Sequence, residues 1–266
     1  MPFFDGPNGH VYYRYWRTAE QPFASLVFLH GYGEHSGLYH RFAEQLNAQG
    51  INVWALDQYG HGLSDGPRGT LDSMDDAIGA ARVLTDHLAT GQAPDVPVVI
   101  AGHSLGSIVA TLTAISADSE KYAGLVVSGA ALSPVAWLAA VEDEGVELDL
   151  DALSAAPFYR DELANDPLAF TGGDLGELAR RLFPPAWEQI ERGLPELSLP
   201  ILAVHGSNDQ IAPIASILDW RDRTPPLRVE VFEDSAHDVL NEVAHREVVS
   251  AVADFVASTV PQQVPA

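Results

Sequence analysis

Pro97-Val98-Val99-Ile100-Ala101-Gly102-His103-Ser104-Leu105-Gly106-Ser107-Ile108-Val109-Ala110-Thr111-Leu112 is the stretch that decides the fold. A short β-branched apolar run meets Gly-x-Ser-x-Gly, and a small-residue run of helical character follows. Val98 to Ala101 suit a strand buried on both faces. Gly102 and Gly106 let the chain turn sharply and bring strand and helix close together. This is the context of a nucleophile elbow, with Ser104 at a strained apex and its hydroxyl exposed. The first helical N–H groups, beginning near Leu105, point at whatever that hydroxyl attacks.

The same alternation extends outward. Ser25–His30, Ile51–Leu56, Gly124–Ser128, Ile201–His205 and Leu227–Phe232 read as buried strands. Tyr39–Gln49 carries apolar residues at helical spacing and Gly50 stops it. Ser73–Thr90 reads as a helix capped by Ser73, with Asp75 and Asp76 in its first turn. Ile214–Trp220 and Val243–Thr259 read as two more helices. His10–Trp16 is an aromatic strand that follows the turn Gly6-Pro7-Asn8-Gly9, with Phe3-Phe4 as hairpin partner. Short strands alternating with helices imply an α/β fold, a mainly parallel sheet covered on both faces. The alternation lapses from Ser133 to Leu194, a stretch holding Trp137, Phe158, Tyr159, Phe170, Phe183, Trp187 and the acidic run Glu142–Asp151. In open sheets ligands bind over the carboxyl ends of the strands, so an insertion there would roof the site. The expected organisation is a core of residues 1–132 and 195–266 with a cap of residues 133–194.

Composition narrows the partners. The net charge is −23, from 37 acidic against 14 basic residues, and Lys121 is the sole lysine. Nothing supplies a phosphate-neutralising face, which disfavours nucleic acid and adsorption to anionic membranes. There are no cysteines, so thiolate metal sites, disulfides and cysteine nucleophiles are excluded. No basic region followed by an apolar stretch opens the chain, and no apolar run reaches membrane-spanning length. A cytoplasmic protein without stable membrane insertion is the expectation; the oligomeric state is not legible.

A serine hydroxyl needs a base to take its proton and an acid to orient that base. Asp209 lies just beyond the strand Ile201–His205, and His237 just beyond the strand Leu227–Phe232. The order Ser104, Asp209, His237 suits a nucleophile, orienting acid and base at successive strand ends. Asp234 is the alternative acid, although it lies too near His237 in sequence to reach the far ring nitrogen easily. His30, His61 and His205 fall in turns or at a strand end and read as loop hydrogen bonders; His245 reads as a surface residue and His103 as packing or polar support. Two preorganised N–H groups must hold the oxyanion. The backbone of Leu105 supplies one, and that of Tyr32, in the loop after Ser25–His30, supplies the other.

These residues carry a family resemblance. HGYGEHSGLYHRFAEQL (His30 to Leu46), ALDQYGHGLSDGPRG (Ala55 to Gly69), GHSLGS (Gly102 to Ser107), HGSNDQIAP (His205 to Pro213) and SAHDVLNE (Ser235 to Glu242) are similar to the α/β-hydrolases, more narrowly to the monoacylglycerol lipase and lysophospholipase-like group. The resemblance implies the α/β-hydrolase fold with a helical cap over an acyl tunnel. It also implies the triad Ser104, Asp209 and His237, and ester hydrolysis with neither metal nor cofactor. Glyceride-cleaving members often carry arginine where Leu38 stands and histidine where Leu240 stands. Two leucines cannot hydrogen-bond to vicinal hydroxyls, and Tyr32 is bulkier than the usual small residue there. The expected substrate is therefore a small to medium apolar ester, with Leu38, His103, Leu240, Trp137 and Phe158 against it. Monoacylglycerols and aromatic diesters such as dialkyl phthalates are the alternatives. Serine peptidase and C–C bond hydrolase activity are the more distant ones.

Overall fold

The computed structural model describes residues 2–117, 121–139, 147–173 and 175–260. The first half of the acidic run, from Glu142 to Val146, lies outside the described residues. Eight strands form one sheet in the order β1-β2-β4-β3-β5-β6-β7-β8. They are β1 Phe3–Gly6, β2 Gly9–Trp16, β3 Ala24–Leu29, β4 Ile51–Leu56, β5 Val98–His103, β6 Gly124–Ser128, β7 Ile201–Gly206 and β8 Leu227–Phe232. β1 and β2 are antiparallel, as are β2 and β4. All the other pairings are parallel.

The helices are α1 His40–Asn47, α2 Met74–Val83, α3 Leu105–Ile115, α4 Ala136–Ala139, α5 Leu150–Leu153, α6 Pro157–Asn165, α7 Leu175–Arg181, α8 Phe183–Gly193, α9 Ile214–Arg223 and α10 His245–Thr259. The central strands are buried along their whole length, and alternate side chains serve opposite faces. Val27, Leu29, Ile100, Val127 and Ala203 pack with α2, α3 and α9. Leu26, Phe28, Val99, Ala101 and Val126 pack with α1 and α10. Two cores on one sheet explain why the parallel strands read as unbroken apolar runs.

Three expectations shift in detail. The helix expected over 73–90 is α-helical to Val83, π-helical over Leu84–Ala89 and α-helical again over Thr90–Gln92. The last helix begins at His245 rather than Val243, which is 75 % exposed. The described residues of the stretch where periodicity lapses hold five short helices, α4 to α8. None of the five exceeds eleven residues, too short for a period to stand out.

This topology makes the site. β4 lies on one side of β3 and β5 on the other, so the chain reverses its winding there and opens a crevice at the strands' carboxyl ends. The loop after β3 and the elbow after β5 both empty into it. Ser104 sits between β5 and α3 with φ +50 and ψ −117, a conformation rarely adopted by a residue with a side chain. The flanking glycines permit it. A Cβ on Gly102 would overlap the Gly106 carbonyl, and one on Gly106 would overlap the Leu29 carbonyl.

Candidate active site

Asp209 follows β7 and His237 follows β8, as their places in the sequence imply. His237 Nδ1 lies 2.9 Å from Asp209 Oδ2. The other carboxylate oxygen accepts the N–H groups of Ile211 at 2.9 Å and Ala212 at 2.8 Å. His205 Nε2 stands 3.2 Å from Oδ2 and 2.7 Å from the Ala212 carbonyl. Burial pushes the Asp209 carboxyl up, but the charge of His237 and hydrogen bonds from His205 and His237 outweigh burial and hold it well below the usual range. An ionised Asp209 fixes the proton of His237 on Nδ1, so that Nε2 is the ring nitrogen able to accept one. Asp234 is exposed, and its N–H donates to Ser207 Oγ; it takes no part in this arrangement.

One cavity joins His237 to Ser104. Ser104, His237, Tyr32, Leu105, His103 and Trp137 all line it. The N–H of Leu105 is the first of α3 and has no acceptor within the helix, as at any helix start. Trp137 is held by a hydrogen bond from Nε1 to the Ile211 carbonyl at 2.8 Å. The Tyr32 hydroxyl donates to the Gly69 carbonyl at 3.1 Å, and its ring meets Phe170 edge-on at 5.4 Å. The rest of the wall is mainly apolar, with Ile108, Leu138, Leu163 and Phe183 among its residues.

Leu38, Leu240 and Phe158 are not among the lining residues. Leu38 and Leu240 are 1 % and 2 % exposed, packed in the core that α1 and α10 share with the sheet. Phe158 is 44 % exposed, its ring 4.8 Å from the Arg41 guanidinium. The expectation that these three contact substrate is corrected: the fold turns two into the core and one to the surface. Leu163, on α6, stands in the cavity wall in their place. Of the other histidines, His30 and His61 are buried loop hydrogen bonders. His30 Nδ1 lies 2.7 Å from the Gly31 carbonyl and His61 Nδ1 2.8 Å from the Tyr59 carbonyl. His245 is half-buried at the start of α10.

Two acids that the sequence reading left unassigned, Glu34 and Asp238, also line the cavity. Glu34 Oε2 accepts the Gly31 N–H at 2.7 Å and the Tyr39 hydroxyl at 2.6 Å. Its Oε1 accepts the hydroxyl of Tyr159, on α6, at 2.9 Å. Glu34 therefore ties the loop that carries Tyr32 to the helical insertion. Asp238 Oδ1 lies 2.6 Å from His103 Nε2. Neither of its oxygens has an aligned hydrogen-bond partner among the described residues. His103 Nδ1 lies 3.2 Å from Ser128 Oγ, and the His103 and His237 rings are 4.8 Å apart.

Glu34, His103 and Asp238 bring ligand-type atoms within 4.8 Å of one another, but three donors already occupy the Glu34 oxygens, as suits a proton-sharing cluster. Two neighbouring buried carboxyls cannot both ionise cheaply. Burial raises the Glu34 carboxyl, yet the His103 charge and the Tyr39 hydrogen bond reverse this and hold it below the usual range. Burial and the Glu34 charge push Asp238 well above that range, so it keeps its proton.

This predicts a pH signature. Folding with Asp238 protonated takes up a proton wherever the unfolded chain has lost it. The benefit is full below the ordinary carboxylate value and fades as pH rises toward the raised one, by about 1.4 kcal/mol per pH unit. Asp209 has the opposite sign: its contribution is present above the ordinary range and is lost only in acid. Asp238→Asn should therefore gain on the wild type in thermal melts as pH rises from about 4 to 7. A difference that stays constant with pH would refute a protonated Asp238.

Comparison with known proteins shows the family. Residues 20–244 match the family described as Serine aminopeptidase, S33. A monoacylglycerol lipase of Mycolicibacterium smegmatis is 30% identical over 96% of this chain and 96% of its own. The Homo sapiens monoglyceride lipase is 29% identical over 93% of this chain and 85% of its own. The crystal structure of a soluble variant of the Saccharomyces cerevisiae monoglyceride lipase superposes with a TM-score of 0.83, covering 99% of this chain and 95% of that one at 16% identity, which bears on the fold alone. The chain belongs to this family of α/β-hydrolases, in its monoglyceride lipase-like group, and is a carboxylic ester hydrolase.

Proposed function

We propose that Ser104, His237 and Asp209 hydrolyse small to medium apolar esters through an acyl-enzyme. The observation that carries the reading is Asp209 Oδ2 standing 2.9 Å from Nδ1 of His237, whose ring shares a cavity with Ser104 at φ +50. His237 takes the Ser104 proton as Oγ attacks the ester carbonyl carbon. The N–H groups of Tyr32 and Leu105 stabilise the tetrahedral oxyanion. His237 then gives the proton to the departing alcohol and, in the second half, accepts one from water. No metal or redox cofactor is needed for these steps. Residues 133–194 serve as the cap, since α4 to α8 contribute Trp137, Leu163 and Phe183 to the cavity wall. Dissolved esters suit this chain better than membrane lipid, because a net charge of −23 opposes docking on anionic lipid.

Monoacylglycerol lipase activity is the second reading, supported by the names of relatives near 30% identity. The mainly apolar wall favours simpler esters. Monoacylglycerols, alkyl esters and aryl esters of matched acyl length separate the two. The apolar reading expects kcat/KM for the alkyl and aryl esters to equal or exceed that for the glyceride. A tenfold preference for the glyceride, about 1.4 kcal/mol of discrimination, would overturn it.

A further inference from the structure

We propose that Asp238 holds the oxygen that exchanges a proton with His237: the departing alcohol during acylation and the attacking water during deacylation. The proposal rests on the triad reading above. Asp238 directly follows His237, is 2 % exposed and lines the cavity that contains Ser104. Glu34, its acidic neighbour, spends its oxygens on three donors. Asp238 does not: its backbone N–H is engaged by the Leu153 carbonyl at 2.8 Å, Oδ1 lies 2.6 Å from His103 Nε2 without the alignment of a hydrogen bond, and Oδ2 lacks a partner among the described residues. A buried carboxyl with unspent hydrogen-bonding capacity is costly, and one that borders a cavity is satisfied by what enters the cavity.

The chemistry needs such a group at this place. During deacylation a water oxygen attacks the acyl carbonyl carbon while one of its protons passes to His237 Nε2. The tetrahedral intermediate then expels Ser104 Oγ as the C–O bond breaks, and His237 returns the proton to that oxygen. The carboxylic acid leaves and no other reactant is consumed. The water keeps one O–H throughout, and in a mainly apolar cavity little else can fix its direction. The carbonyl oxygen of a neutral Asp238 can accept that O–H. Its own O–H can donate to the same oxygen before attack. By microscopic reversibility, the alcohol oxygen that left during acylation occupied the same place.

The test uses the full chain and p-nitrophenyl butyrate. Asp238→Val removes both hydrogen-bonding atoms; Asp238→Asn keeps two of similar shape. Pre-steady-state release of p-nitrophenol, the ratio of methyl ester to acid formed in added methanol, and the rate of fluorophosphonate labelling are measured beside a thermal melt. For Asp238→Val the expected result is steady-state turnover lower by on the order of 10- to 100-fold and a burst of about one p-nitrophenol per chain. Labelling stays within about threefold of wild type, since the probe needs no water, and the methyl ester to acid ratio rises. Asp238→Asn falls between the two proteins in every readout. If Asp238→Val does not fold, Asp238→Ala read the same way decides. Unchanged turnover and product ratio would overturn the proposal. So would equal losses of labelling and hydrolysis with an unchanged product ratio, which would mean that Asp238 only supports His237. Failure of the wild-type chain to label would instead remove the triad reading itself.

Discussion

Replacing Ser104 by alanine is expected to abolish ester turnover, lowering kcat by about 10⁴-fold or more, together with all labelling by a fluorophosphonate. The expectation follows from the backbone. The chain accepts φ +50 at a residue with a side chain, a strained state that persists only where the surroundings impose it. Here the imposing contacts are the close approach of β5 to α3 through Gly102 and Gly106, and a hydrogen bond from the Ser104 N–H to the Ser128 carbonyl at 2.9 Å. None involves Oγ, so alanine should keep the elbow and lose only the nucleophile. Thermal melts of the variant should match the wild type within a few degrees. A melting temperature preserved alongside turnover above about a hundredth of wild type would move the nucleophile elsewhere.

Asp209→Asn should cost nearly as much, about 10⁴-fold in kcat, without unfolding the chain. The two backbone donors, Ile211 and Ala212, both meet Oδ1. An asparagine must therefore place its carbonyl there and its NH₂ at the Oδ2 position, facing His237 Nδ1 and His205 Nε2. His237 can answer an NH₂ group only by accepting on Nδ1, which moves its proton to Nε2. A histidine in that tautomer cannot take the Ser104 proton. Imidazole NMR shifts would report the exchanged tautomer, and ester turnover the loss. A fall of tenfold or less would mean that another group orients His237.

The proposed triad is legible because Ser104, Asp209 and His237 each follow their own strand at a short, locally coded distance. Gly-x-Ser-x-Gly marks the elbow after β5, and Asp209 and His237 each end an apolar run. The specificity residues were a different matter. Leu38 and Leu240 stand beside catalytic segments in the sequence, yet proximity along a chain says nothing about which face of a loop reaches a cavity. Both are sealed in the core with α1 and α10. Glu34 and Asp238 were visible inside quoted motifs. Their pairing through His103 depends on bringing the ends of β3, β5 and β8 together, which only the sheet order supplies. The π-helical turn at Leu84–Ala89 was beyond reach for another reason: over a single turn, an apolar spacing of 3.6 is indistinguishable from a slightly wider one.

The contact between Tyr159 and Glu34 constrains how this protein can change over evolutionary time. The hydroxyl that satisfies Oε1 comes from α6, while the carboxylate steadies Gly31 beside Tyr32, the proposed oxyanion donor. Exchanging residues 133–194 for the insertion of another member would strip that carboxylate of one donor unless a matching hydroxyl arrived with it. Residues 133–194 and position 34 are thus coupled in this chain, and a chimera that restores activity should be one in which both were transplanted together.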